Sequence, residues 1–279
     1  MLAVQRRHAL IDILEHNPIL TVDSLAQHFG VSTQTVRRDL VYLEERGLLR
    51  RTYGGAVATG EDRLNQESVF RAREEEHAAQ KRAIGIAALS LVEPGSTVMF
   101  DASTTVLQLA SALPLDIELT AIVNALPVAG ELARRTQVNT TVVGGSLRHA
   151  SLSFVGPDAE DRLRRLFADT AFISTSGLAL GRGLMESNAY QAAIKALMIA
   201  NAGRVVGLID SSKVGRSGSH LFASVGDLHT LVTDDGIDPA LLVSLRALGL
   251  DVVVAPPIPS TVRRVPRGLL TAVEALEIG

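Results

Sequence analysis

Residues 30–47, Gly30-Val-Ser-Thr-Gln-Thr-Val-Arg-Arg-Asp-Leu-Val-Tyr-Leu-Glu-Glu-Arg-Gly47, carry the start, the buried face and the end of one helix. Ser32 is an N-cap residue type whose hydroxyl can accept from a first-turn amide, and Gly47 stands where a left-handed residue would end the helix. Val36, Leu40 and Leu43 recur on one face. Ser32, Thr33, Gln34, Thr35, Arg37 and Arg38 fall at its start or away from that face, and are the first candidate contact residues.

Upstream, Leu10, Ile11, Ile13 and Leu14 keep helical spacing and stop at Asn17-Pro18, which predicts a helix over 3–15. Thr21 can cap a second helix that runs through Leu25 and Ala26 to Gly30. Two short helices about a tight turn make a helix-turn-helix. Downstream, residues 48–58 (LLRRTYGGAVA) alternate like a hairpin turning at Gly54-Gly55, with Arg50 and Arg51 where a wing would touch a phosphate backbone. Gln and Arg can read base edges in a major groove, while hydroxyls and helix amides meet phosphate. Spacing alone also permits a small helical cap whose arginines form a solvated face.

The whole chain, 279 residues, exceeds one common domain, so two domains are expected. It has no cysteine, which removes disulfides and thiolate chemistry and fits a reducing cytoplasm. Its first twenty residues mix charge with apolar side chains, so no membrane span is expected there. Net charge is −3, unevenly spread: residues 1–58 hold seven arginines against six acids, and the acidic excess lies beyond them. The seven histidines show no paired ligand spacing, so no metal is expected, and no cofactor is assigned.

Residues 59–76 turn polar and read as a linker. From 77 to 254 the pattern alternates: helix 77–92, strand 97–100, helix 104–112, strand 119–123, helix 125–135, strand 140–143, helix 157–167, strand 170–174, helix 188–201, strand 204–209, strand 230–233, helix 239–248 and strand 251–254. That rhythm predicts an α/β domain with a mostly parallel sheet. Beyond it, 255–279 is a proline-containing tail with a short apolar stretch at 268–277.

In a parallel sheet, ligands bind past the carboxyl ends of the strands. Five such ends carry polar or flexible residues: Asp101, Ser103, Thr104 and Thr105; Asn124; Gly144, Gly145 and Arg148; Ser174 and Gly177; Asp210 and Lys213. The Asp101–Thr105 loop leads straight into a helix, whose amino end favours an anion. Each end can also be an ordinary turn or cap. Arginine supplies nearly all the positive charge, and the chain's only lysines are Lys81, Lys195 and Lys213. Two of them are candidates for the same site, Lys213 at a strand end and Lys195 on the helix expected over 188–201.

Leu25-Ala-x-x-Phe29, Val31-Ser32, Thr35-Val-Arg-Arg-Asp-Leu40, Leu43, Gly47 and Gly54-Gly-Ala56 together resemble the DNA-binding segment of the DeoR family of bacterial sugar-metabolism regulators. The second half resembles the same family through Lys81-Arg-x-Ile84, Asp101-x-Ser-Thr-Thr105, Asn124, Gly144-Gly145, Phe154-x-Gly156, Asp169-x-Ala-Phe172, Lys195 and Asp210-x-Ser-Lys213. The resemblance spans about 3–254. It implies a winged helix-turn-helix over 1–58 that binds double-stranded operator DNA. It further implies an effector domain over 77–254 of the ribose-5-phosphate-isomerase-like type, a phosphorylated sugar as effector, and repression as the more frequent mode. Two departures stand out: Gln191 and Ala193 precede Lys195 where the family often has acids, and the tail beyond 254 extends past the family's usual end. Because one winged domain covers little DNA, a homo-oligomer, dimer or tetramer, is expected.

An enzyme is the competing class. Asp101 or Asp210 beside Lys213 could abstract a proton next to a carbonyl, as a sugar-phosphate isomerase does. Likeness of fold does not establish turnover, and no catalytic residue is assigned.

Overall fold

The computed structural model describes residues 3–16, 19–45, 49–52, 55–57 and 70–258. The amino-terminal unit is built from α1 (Ala3–His16), β1 (Ile19–Thr21), α2 (Val22–Phe29), α3 (Thr33–Glu44), β2 (Arg50–Thr52) and β3 (Gly55–Val57). Its boundaries follow the capping chemistry. Thr21 accepts from the Ser24 amide, Gly30 ends α2 at φ +62°, and the Ser32 hydroxyl accepts from the Thr35 amide at 3.2 Å. Leu10, Val22, Leu25, Val36, Leu40 and Leu43 bury the apolar faces of the three helices together. The expected hairpin is a three-stranded antiparallel sheet of order β1-β3-β2. β1 was not expected, because three residues are too few to show a period. Gly54 and the tail segment 268–277 lie outside the described residues.

Residues 70–75 form a helix, α4, where the sequence suggested linker. Phe70 anchors it in the core of the second domain.

That domain continues as α5 (Ala78–Ala87), β4 (Thr97–Phe100), α6 (Thr104–Ala112), β5 (Leu119–Val123), α7 (Leu126–Leu132), β6 (Val138–Val142), β7 (Ser146–Arg148), β8 (Ser153–Val155), α8 (Pro157–Leu163), β9 (Ala168–Ile173), β10 (Gly177–Ala179), β11 (Gly183–Glu186), α9 (Ala189–Ala200), β12 (Ala202–Leu208), β13 (His220–Ala223), β14 (Thr230–Asp234), α10 (Pro239–Ala247) and β15 (Asp251–Ala255). Seven strands make one parallel sheet of order β15-β14-β12-β9-β4-β5-β6. Successive side chains alternate between its faces: Val98 and Phe100 pack toward α5, α6 and α7, whereas Met99 packs toward α8, α9 and α10. Phe100 and Phe172 stack at 5.9 Å between ring centroids.

The chain runs outward from β4 through β5 to β6, then returns to start β9 on the other side of β4. The crevice at the ends of β4 and β9 is therefore the topological switch point, where such sheets bind ligands. Two small antiparallel additions, β7-β8 and β10-β11-β13, were not expected. Their short strands are set by pairing between distant segments.

Candidate functional site

On the amino-terminal unit, Ser32, Thr33, Gln34, Arg37 and Arg38 are exposed along α3, Thr35 is half-buried, and Val36, Asp39 and Leu40 are buried. Five of the six residues expected on the contact face are thus exposed. Asp39 has a different task. One of its oxygens accepts from Arg6 Nε at 2.5 Å and the other from Arg7 Nε at 2.7 Å, so it clamps α1 to α3. Arg51 is exposed but not loose: its amide and its Nε both donate to Glu44, at 2.9 and 2.5 Å, which ties the wing to the end of α3. Arg50 and Gly55 sit in β2 and β3, in register with Val57 and Thr52.

A cleft of about 360 Å³ opens at the switch point. Of the expected effector residues, Ser103, Thr104, Arg148, Lys195, Asp210 and Lys213 line it. Asp101, Thr105, Asn124, Gly144, Gly145, Ser174 and Gly177 do not. Asp101 lies directly behind the wall, accepting from the Ser103 amide with one oxygen and from the Ser174 amide with the other, each at 2.8 Å. Asn124 is fully buried and donates to Phe154 O. Gly145, at φ +101°, lets the chain pass over α8; a Cβ there would come within 2.9 Å of Ala159 Cβ and Val155 O. Gly177 admits the backbone of Arg216, whose oxygen a Cβ would meet at 2.7 Å. These glycines and buried polar groups shape the cleft without facing it.

Lys195 is the buried hub. Its ammonium has three protons and three partners: Ser174 O at 2.6 Å, Glu186 Oε1 at 2.6 Å and Asp101 Oδ2 at 2.9 Å. Burial opposes its charge, yet the Asp101 and Glu186 carboxylates outweigh burial and hold its pKa above the usual lysine value. Burial likewise works against Glu186, and Lys195 with Ser176 overcomes it, keeping that carboxyl below the usual range. Glu186 supplies the acid that α9 lacks; its place at the end of a four-residue strand, β11, gave no sequence signal.

Lys213 is differently placed. It sits on a one-turn helix after β12, pairs with Asp210 at 3.2 Å and keeps 21% of its side chain exposed to the cleft side. Burial would raise the Asp210 pKa, but Lys213, Ser212 and Lys81 bring it down to about 2. Opposite, Lys81 on α5 is buried and donates to the carbonyls of Arg73 and Glu76. Burial, reinforced by the Lys213 charge, lowers its pKa to about 8. All three lysines of the chain thus line one cleft. Among lining residues, six cationic side chains (Arg73, Lys81, Arg148, Lys195, Lys213 and Arg216) face three acidic ones (Glu76, Glu186 and Asp210).

Further polar side chains hold this side of the cleft together. Gln191 Nε2 donates to Ser151 Oγ at 3.0 Å and Ser153 Oγ at 2.5 Å, and Ser176 Oγ donates to Glu186 Oε2 at 2.5 Å. Neither acid named for the enzyme reading is poised as a base. Asp101 is engaged by two amides and an ammonium, and Asp210 ionises far below neutral pH.

Comparison with known proteins resolves the class. The DeoR-like helix-turn-helix domain matches residues 6–61 and the DeoR C terminal sensor domain matches residues 76–235. The chain belongs to the DeoR family. It is 36% identical to the HTH-type transcriptional regulator YulB of Bacillus subtilis strain 168, over 92% of this chain and 98% of that one. It is 34% identical to the transcriptional repressor AccR of Agrobacterium fabrum strain C58, over 83% of this chain and 89% of that one. With the L-fucose operon activator of Escherichia coli strain K12 it shares 30% identity, over 82% and 94%. Among solved structures, the ribose 5-phosphate isomerase of Methanocaldococcus jannaschii aligns with 48% of this chain and 53% of that one at 15% identity, with a TM-score of 0.36, too loosely to argue from. The DeoR-family chain is a DNA-binding transcription regulator and not an enzyme. No helix among the described residues is long and apolar enough to cross a membrane.

Proposed function

We propose that this regulator represses carbohydrate-metabolism genes in the cytoplasm, binding operator DNA through α3 and the wing and releasing or retaining it according to a phosphorylated sugar held in the cleft. The placement of Lys213 and Lys81 on the cleft carries the reading, because a compact ammonium suits a point contact with phosphate in a crowded crevice. The phosphate sits between Lys213, Lys81 and the amino end of α6, where Ser103 caps the helix and first-turn amides remain for an anion. Sugar hydroxyls meet Glu186, Gln191 and the serines beside them. Repression is supported by the AccR relative, while the L-fucose relative is an activator.

Thermal-shift titration against a panel of sugar phosphates and the matching unphosphorylated sugars tests the ligand class. A phosphorylated compound that binds the folded chain raises the melting temperature by mass action, and its parent sugar does not. Equal shifts from both sets, or none from either, would refute the phosphate assignment. Regulators of this kind read paired half-sites, so the chain acts as a dimer or tetramer assembled through the sensor domain. Sedimentation showing monomer alone, free and on DNA, would overturn that.

A further inference from the structure

The cleft is not walled by the sensor domain alone. Gln5, Ala9 and Ile11 of α1 also line it. Gln5 Nε2 donates to Ser217 O at 3.1 Å, joining segments 212 positions apart. Packing backs this contact: Ala150, in the turn between β7 and β8, is 3% exposed and belongs to the apolar core of the amino-terminal unit. The Ala150 carbonyl accepts from Arg73 Nη2 at 2.7 Å, and the next residue, Ser151, faces the cleft and accepts from Gln191. One turn therefore touches the DNA-binding unit on one side and the cleft on the other.

From α1 the path to the recognition helix is short. Arg6 and Arg7 grip Asp39 on α3, and the Arg7 guanidinium lies 3.7 Å from the Tyr42 ring centroid. The Arg6–Asp39 pair is buried, and parting it would break a charge contact that water cannot readily replace. So α1 and α3 move as one body.

We propose that α1 is part of the effector site: a sugar phosphate filling the cleft contacts Gln5 and Ala9, holds α1 docked, and thereby fixes the orientation of the recognition helix. This rests on the sugar-phosphate reading above. Because α1 completes a wall of the site, ligand binding and docking reinforce each other, and the coupling is reciprocal. DNA affinity responds to ligand only through the difference between docked and undocked states.

The chain has no cysteine, so a Gln5→Cys/Ser217→Cys variant of the full-length protein can be joined selectively by a short bismaleimide. Ser217 is exposed and Gln5 half-buried. The probes are ribose 5-phosphate, fructose 6-phosphate, glucose 6-phosphate and inorganic phosphate; the DNA is a duplex selected by the parent protein from a random pool. The two single-cysteine variants, treated alike, control for folding and labelling. The tethered protein should bind the best of these phosphates at least about fivefold more tightly than the untethered variant. Its DNA affinity should no longer change when that phosphate is added. A tethered protein with unchanged phosphate affinity and the full DNA response overturns the role of α1 and leaves the effector reading standing. A parent protein that binds none of the four compounds overturns the effector reading, and this inference with it.

Discussion

Replacing Lys195 by methionine keeps the volume of the side chain and removes its charge from between two buried carboxylates. Asp101 would keep its two backbone donors, the amides of Ser103 and Ser174. Glu186 would keep the Ser176 hydroxyl and the charge of Lys213. Breaking one side of a buried ion pair costs roughly 3–5 kcal/mol, because the remaining charge loses its compensating partner without regaining water. For a domain of this size each kcal/mol lowers the melting temperature by roughly 2–4 °C, so Lys195→Met should melt roughly 6–20 °C below the parent at pH 7.5. The sign with pH follows from Glu186. In the parent its carboxyl lies below the ordinary 4.5, so its contribution to stability is present above that pH and is lost as pH falls through the folded value. In the variant burial acts without Lys195 and raises the folded value, so the penalty grows as pH rises above 4.5. Lowering pH from 7.5 toward 5 should then relax the deficit by up to about 1.4 kcal/mol per unit. Adding Glu186→Gln should recover much of the loss at pH 7.5. Urea and thermal melts at both pH values measure all three effects. A Lys195→Met protein that melts within about 2 °C of the parent, with no pH dependence in the difference, would refute the assignment of Lys195 as hub.

Further expectations concern binding. Arg37→Ala and Arg38→Ala should leave the fold intact and weaken operator DNA in gel-shift titrations, by about 1–3 kcal/mol with relaxed sequence choice for a base-edge contact, or uniformly across sequences for a phosphate contact; parental binding by both would remove α3 from the interface. Lys213→Ala should bind operator normally and lose its response to the sugar phosphate, and unchanged calorimetric affinity for that compound would clear the lysine of any role. Effector affinity should peak between about pH 6, where a phosphate monoester becomes dianionic, and pH 8, above which Lys81 gives up its proton in the empty cleft. Affinity by calorimetry that stays flat from pH 7 to 9.5 would place the phosphate away from Lys81.

Local chemistry made much of this legible without coordinates. Thr21, Gly30 and Ser32 bound α2 and α3 because caps act within one turn, and Val36, Leu40 and Leu43 mark the buried face because a helix repeats within a few residues. Alternating apolar segments revealed the parallel sheet for the same reason. The lysine-poor composition pointed at Lys195 and Lys213, although it gave Lys81 no place beside them. What needed the tertiary structure is everything fixed by long-range contact. The return of the chain to start β9 beside β4 sets the switch point, and no local pattern encodes which strands become neighbours. Burial and pairing decide that Lys195 is a strut while Lys213 keeps part of its side chain open to the cleft, although both read alike as rare lysines of one expected site. Glu186 sits on a strand too short to show a period, and it became an acid of the site only when β11 paired with β10 and β13. The approach of α1 to Ser217 lies furthest beyond sequence reading: a glutamine on a helix and an exposed turn carry no mark of each other until the folded chain brings them to 3.1 Å.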